Sequence, residues 1–348
     1  MIAEAKTPKL TVQEEALAYV MHSGAARTLI EYTMDTEGQR YHTYPEFQSR
    51  DFNSLVGRYK GNPKDSLAYA RQALFGIHTD RKLNAGQKER RLSRYLDAYF
   101  DLQVHLDRAA FPETPYGQSV TGVPSYIPDG LVDMGSDSRL DSRKRFGRER
   151  IHVDKRQILG TYKDLFETVF SQDISGMSST EVKTRIVNTV LYGVYSRMSY
   201  DYANEFLRRL DNGDAMSISL SDLERGVCRH HALVTQVLLQ AFGITSRLLK
   251  NDVENNGYGG PHAANLVRID NDWYLADATQ PLIRADKKWR PALFRLPEVP
   301  DKNRTQIFRF STPDGTRTYK TRYNMHWTIE RGPRGRYRQS TIDLTGKL

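Results

Sequence analysis

The stretch GVCRHHALVTQVLLQAFGI, residues 226–244, constrains the fold more than any other part of the chain. Val234, Val237, Leu238 and Ala241 follow the i, i+3, i+4, i+7 spacing of one helix face, while Leu233 and Leu239 carry apolar surface round to other sides. A helix that is apolar on more than one side has to be buried. Gly243 supplies its C-terminal stop and Gly226 lies just ahead of its start, so the helix begins at or near Cys228. Short strand signals follow. They are ITSRLLK, then AANLVRI and WYLAD on either side of an Asp-Asn-Asp turn. Further on, TQIFRFSTPDGTRTYKTRYN alternates about Asp314-Gly315 and predicts another hairpin. A buried helix followed by antiparallel strands predicts an α+β fold, with the cysteine-bearing helix packed on an antiparallel sheet.

Upstream, the chain favours helices from Val12 to about Phe111. In QKERRLSRYLDAYFDLQVHL, Leu92, Leu96, Tyr99, Leu102 and Leu106 stand at helical spacing. Prolines 112, 115, 124 and 128 and the charged run DSRLDSRKRFGRERIHVDKR then read as a linker or long surface connection. The segments ILGTYKDLFETVF and TEVKTRIVNTVLYGVYSRMSYDYANEFLRRL form a second helical region. The expected organisation is a helical N-terminal region over 1–111, a connection over 112–150, and an α+β domain over 151–348 whose last part, 281–348, is a basic β-rich extension.

With 39% hydrophobic residues, the chain of 348 can bury a substantial core. No run of about 18 apolar residues occurs, so no membrane span is expected, and the N-terminus lacks a signal-peptide pattern. A single cysteine excludes an internal disulfide. These features read as cytoplasmic where the chain is synthesised, and are compatible with export by a signal-peptide-independent secretion system. The net charge of +9 sits in the tail, where residues 281–348 carry 16 Lys or Arg against 6 Asp or Glu. There the cations alternate with Phe308, Phe310, Tyr319, Tyr323, Trp327 and Tyr337. A half-buried sheet with aromatics inward and cations outward explains this alternation better than a nucleic-acid site, and an acidic partner for the tail is the remaining binding expectation.

Cys228 falls in the first turn of its helix, where unpaired N–H groups and the helix dipole favour a thiolate. His262 follows 34 residues later in GGPHAANLVRID, and Asp277 15 residues after that in NDWYLADAT. An antiparallel hairpin would bring both to one end of a sheet. A turn centred on Asn271 would set His262 opposite Gln280, so meeting Asp277 would require a bulge or twist. The segment NDVENNGYGGP before His262 reads as a loop, either a substrate lip or a plain surface connection. His230 and His231 invite a metal reading, but a closed zinc site needs four ligands and no second paired cluster is present, so neither metal nor cofactor is expected.

The pattern G-V-C before a helix, H-A in a strand, and W-Y-x-x-D-x-T after a tight turn resembles the transglutaminase-like superfamily of papain-type thiol enzymes, over about residues 180–280. CRHHAL also resembles a related domain that precedes the kinase in some plant Raf-like kinases, and bacterial effectors with this core are known. The resemblance implies a papain-like core with Cys228 as nucleophile, His262 as base and Asp277 as the residue orienting the histidine. It implies acyl transfer from a protein or peptide amide, giving a protease, amidase, deamidase or transglutaminase. The Cys228 N–H would be one oxyanion donor, with Tyr195, Tyr200 and Asn204 available for a second. Ala264 and Leu266 depart from the tryptophan and glutamate common in the superfamily, and no acidic loop resembles a calcium site. The alternative is a catalytically silent binding module that uses the basic aromatic tail.

Overall fold

In the computed structural model, residues 67, 71, 74–110, 127, 129–134, 150–174, 176–201, 217–255, 258–283, 289–298, 300, 304–321 and 328–331 are described. Six strands between Phe242 and Asn324 assemble into an antiparallel sheet. They are β6 (Ser246–Asn255), β7 (Tyr258–Ile269), β8 (Asp272–Ile283), β9 (Trp289–Arg295), β10 (Ile307–Thr312) and β11 (Gly315–Thr321). Their order in the sheet is β10-β11-β6-β7-β8-β9, so the C-terminal hairpin docks on β6 and not on β9. A smaller sheet, β12-β1-β2-β4, joins β1 (Leu131–Met134), β2 (Arg150–Val153), β4 (Ser217–Ser219) and β12 (Thr328–Arg331). β1 lies within the stretch whose prolines and charges read as a connection, and it pairs on one side with β12, from the far end of the chain.

Among the described residues, α1 (Ala85–Ala110), α2 (Lys155–Thr161), α3 (Lys163–Phe170), α4 (Ser179–Arg197) and α5 (Cys228–Ala241) cover the larger sheet and one another. The apolar surround of α5 has the predicted consequence: Leu233, Val234, Val237, Leu238 and Leu239 are all fully buried. Each such side chain contributes about 1.5–3 kcal/mol over an exposed one. α5 ends in a Schellman motif, with the Ile244 N–H on the Leu239 carbonyl, the Gly243 N–H on that of Gln240, and Gly243 at φ 75°. α1 belongs to the same core. Its Leu92, Leu96 and Tyr99 face inward, and the Tyr99 hydroxyl donates to the Ala241 carbonyl at the end of α5. No helix among the described residues is long and apolar enough to cross a membrane.

The helical signal after residue 179 is interrupted. α4 opens on a capping box between Ser178 and Glu181 and stops at Arg197, and Met198 turns extended. Ser199–Tyr200 (β3) then pairs in parallel with Arg225–Gly226 (β5). This two-residue ladder ties the end of α4 to the start of α5, which overrides the helix propensity of the sequence around it. The stretch NDVENNGYGGP is likewise strand and not loop, with Asn251–Asn255 pairing with Tyr258–His262. Asn256 and Gly257 lie outside the described residues.

Candidate active site

α5 lies against the sheet face that carries Ala263, Val267 and Ala276. A polar lock fixes its height: Asn265 Nδ2 donates to the Ala232 carbonyl at 3.0 Å and to Gln236 Oε1 at 3.1 Å, and Gln236 Nε2 donates to the Ser246 carbonyl at 3.0 Å. At the N-terminus His230 Nδ1 accepts from the Val227 N–H at 3.0 Å. His231 has Nε2 2.8 Å from the Met198 carbonyl and Nδ1 3.1 Å from that of Val227. Burial lowers the His231 pKa, so the ring is neutral and its single N–H is best placed on Nε2, at the shorter distance. Both histidines therefore serve the helix start. Gly226 must be small here, because a Cβ on it would come within 2.9 Å of the His230 Cβ and 3.0 Å of the Met198 sulfur.

His262 and Asp277 come from the other face, the concave inside of the half-barrel formed by the larger sheet. The hairpin turn is two residues, Asp270 and Asn271, with Ile269 opposite Asp272 and Asp270 at φ 54°. This register differs by one residue from a turn centred on Asn271. Extended along the strands, it sets His262 opposite Thr279, so that Asp277 is its diagonal neighbour on the same face and no bulge between β7 and β8 is required. Pairing of β7 with β8 stops at Asn265 and Ala276. Where the strands part, the His262 imidazole on the inner face meets the Cys228 thiol at the start of α5.

The structure thus brings Cys228, His262 and Asp277 together. His262 Nε2 donates to Asp277 Oδ2 at 2.8 Å, which leaves Nδ1 toward the thiol. The thiol contacts the imidazole, the Tyr200 hydroxyl and the Ala263 N–H. Asp277 Oδ1 accepts from the Thr279 N–H at 2.9 Å and its hydroxyl at 2.6 Å, and Oδ2 also accepts from the Tyr319 hydroxyl at 3.0 Å. His262 is 5% exposed and Asp277 2%, whereas Cys228 is half-buried and reachable. Of the residues considered as second oxyanion donors, Tyr200 reaches the thiol, Tyr195 packs near Trp289 at 6.0 Å between ring centres, and Asn204 lies outside the described residues. Sequence reasoning gave no site role to Tyr319, which it took as a tail aromatic, to Thr279, which closes the W-Y-x-x-D-x-T pattern, or to the Ala263 N–H. An Asp whose carboxylate takes the N–H two residues on is an Asx-turn signal that could have assigned Thr279 its role.

Burial alone would push the Cys228 thiol up, but the His262 hydrogen bond and charge, the Ala263 N–H and the Tyr200 hydroxyl outweigh it and hold the thiol below its ordinary value. Burial opposes the charge on His262 too, but Asp277 and the thiolate raise the imidazole to about 10. Asp277 lies well below the carboxylate range, since His262 and the Thr279 donors outweigh its desolvation. Burial, reinforced by the Cys228 charge, raises Tyr200 and keeps it a donor.

Stability should carry the signature of this pair. His262 keeps its proton to about pH 10 when folded, against about 6.5 unfolded, so its contribution is whole below about pH 6.5 and is lost as pH rises through about 10. Cys228 is shifted down, so its contribution is whole above the unfolded value of about 8.5 and is lost as pH falls through the lower folded value. Above about pH 8.5 the unfolded state has lost both protons while folded His262 keeps its own, so stability falls as pH rises. Denaturant unfolding across pH is expected to give a free energy that falls on the acid side, as the thiolate takes up its proton, and again above about pH 8.5, with both breaks lost in His262→Ala. A wild-type curve whose breaks persist unchanged in His262→Ala would remove the pair as their cause.

Residues 178–295 match a family model described as a transglutaminase-like domain, a span from the N-cap of α4 to the end of β9 that contains Cys228, His262 and Asp277. No curated protein matches the chain.

Proposed function

We propose that the transglutaminase-like domain of this chain is a cysteine-dependent acyl-transfer enzyme acting on a protein or peptide amide. The observation that supports this reading most is the Cys228 thiol at the open end of α5, in contact with an imidazole whose other nitrogen is held by a buried carboxylate. A free thiol is only a few per cent ionised at neutral pH, and His262 supplies the missing activation.

In the proposed reaction the Cys228 thiolate attacks the carbonyl carbon of a peptide bond, or of a glutamine or asparagine carboxamide. The Cys228 N–H, one of the orphan donors of the helix start, faces the oxyanion, and Tyr200 is the candidate second donor. The C–N bond breaks as His262 protonates the leaving nitrogen, and a thioester remains on Cys228. Water then attacks the thioester, His262 takes its proton, and the acid product leaves with the thiol restored. A primary amine in place of water gives a cross-link. Hydrolysis is placed first because water needs no built acceptor site.

The test offers the wild type and Cys228→Ala a mixture of glutamine- and asparagine-containing peptides with a tagged primary amine, and reads products and intact enzyme by mass. Carboxylate in place of carboxamide indicates deamidation, new termini indicate proteolysis, and tagged peptide indicates amine transfer. Each is expected to disappear in Cys228→Ala. Products that persist in Cys228→Ala, or a wild type that yields neither product nor acyl adduct, would sink the proposal.

A further inference from the structure

We propose that Tyr319 is a positioning residue for the active site, holding the Asp277 carboxylate in the rotamer that His262 needs, and that Arg317 fixes the Tyr319 hydroxyl in turn. The inference rests on the thiol-enzyme reading and adds to it a strand, β11, that lies beyond the family match at residue 295.

The need for such a residue arises from β8. Pairing with β7 ends at Ala276, and pairing with β9 breaks between Asp277 and Leu282. Asp277 thus lies just past the last pair with β7 and is the last residue paired with β9, opposite Ala292, before the register shifts, so side chains must hold its carboxylate. Thr279 takes one carboxylate oxygen, but it belongs to the same irregular segment. Tyr319 comes from elsewhere. β11 is separated from β8 by β6 and β7, three strand spacings or about 14 Å in a flat sheet. Only the curl of the half-barrel lets its hydroxyl cross the interior to Asp277 Oδ2, the same oxygen that accepts from His262.

Tyr319 is fully buried and Arg317 is 1% exposed. A cation on this face contradicts the expectation that the tail's cations point outward, and burying it is costly unless it is satisfied. Arg317 Nη1 donates to the Gln280 carbonyl at 2.5 Å, Nη2 reaches Asp314 at 3.3 Å, and the guanidinium lies against the Tyr319 hydroxyl. β11 thus grips β8 at Asp277 and again at Gln280, across the stretch where the β8–β9 register shifts. Burial and the Asp277 charge keep the Tyr319 proton on its oxygen, so it remains a donor across the working range.

Tyr319 also packs near Phe294 and Phe310, at 6.0 and 6.1 Å between ring centres. Tyr319→Phe retains that packing and removes only the hydroxyl. The readout is the iodoacetamide alkylation rate of Cys228 against pH, by intact mass. The titratable and charged groups facing the pair are Cys228 and His231 from α5, Tyr200 from β3, His262 from β7, Asp277 from β8, and Tyr319 and Arg317 from β11. A lost hydrogen bond to a charged group is worth about one pKa unit, so the profile is expected to move up by about one pH unit, with a fall approaching tenfold on its acid limb while the rate near pH 10 stays within about twofold. A profile that superimposes on wild type, or a loss equal at every pH, overturns the proposal. Should Tyr319→Phe not fold, Arg317→Lys decides by the same criterion, because lysine keeps the charge but not the fork that spans the Gln280 carbonyl and Asp314 beside Tyr319. A wild type that alkylates only in the free-thiol range removes the thiol-enzyme reading and this proposal with it. A wild type reactive at low pH and matched by Tyr319→Phe removes this proposal alone.

Discussion

His262→Ala is expected to shift the alkylation of Cys228 upward in pH, with a loss of about 10²-fold or more near pH 6. The two influences on the thiol differ in size. A helix N-terminus favours an adjacent anion by about 0.3–1 kcal/mol, less than the 1.36 kcal/mol that corresponds to one pKa unit. The dipole of α5 therefore cannot offset the desolvation of a thiol in this site, and the imidazole has to. Once His262 is gone, the Tyr200 hydroxyl and the Ala263 N–H remain, but burial then prevails and the midpoint should pass the free-thiol value of about 8.5. Turnover should fall by at least about 10³-fold, since the same group must also protonate the leaving nitrogen. An alkylation profile unchanged by His262→Ala would make Cys228 a structural residue and end the enzyme reading.

The parts of this site that could be read from the sequence are those carried by local pattern. The apolar surround of α5, its Gly243 stop and the strand–turn–strand after it are each written within about 20 residues, and the structure follows them. The turn was misread by one residue, and in a strand one residue exchanges the two faces. Centred on Asn271 it would have separated His262 from Asp277, whereas with Asp270 and Asn271 as the two turn residues it joins them. In NDVENNGYGGP the loop-like composition reads as a substrate lip or a plain surface connection, whereas Asn251–Asn255 and Tyr258–His262 pair as strands, a partnership that composition alone does not carry.

What could not be read is long-range. The alternation in GTRTYKT puts Arg317, Tyr319 and Thr321 on one side of a strand, but which side is inward depends on the docking of β11 against β6, more than 60 residues earlier in the chain. Likewise nothing near residue 131 foretells that β1 pairs with β12. Such contacts are fixed by sheet topology, which pattern within one segment does not contain.

Asp277→Asn should be nearly as damaging as loss of the histidine, though it changes almost no volume. Asp277 accepts at both oxygens, from Thr279 at one and from His262 and Tyr319 at the other. A carboxamide offers one acceptor and one donor. With its oxygen toward Thr279, its NH₂ faces His262, and the imidazole must move its proton to Nδ1, where it can no longer accept the proton of the Cys228 thiol. With its oxygen toward His262, the NH₂ meets the Thr279 N–H, donor against donor, in a site closed to water. The catalytic orientation therefore carries a buried clash of about 1–3 kcal/mol, and the comfortable orientation carries the wrong tautomer. Turnover is expected to fall by about 10⁴-fold, the size of the tautomer penalty in serine-protease triads, with a loss of about 1–3 kcal/mol in denaturant stability. The check is a pH–rate profile beside an unfolding curve. A variant that is destabilised but turns over normally per folded molecule would show that Asp277 supports the fold and leaves the orientation of His262 to other groups.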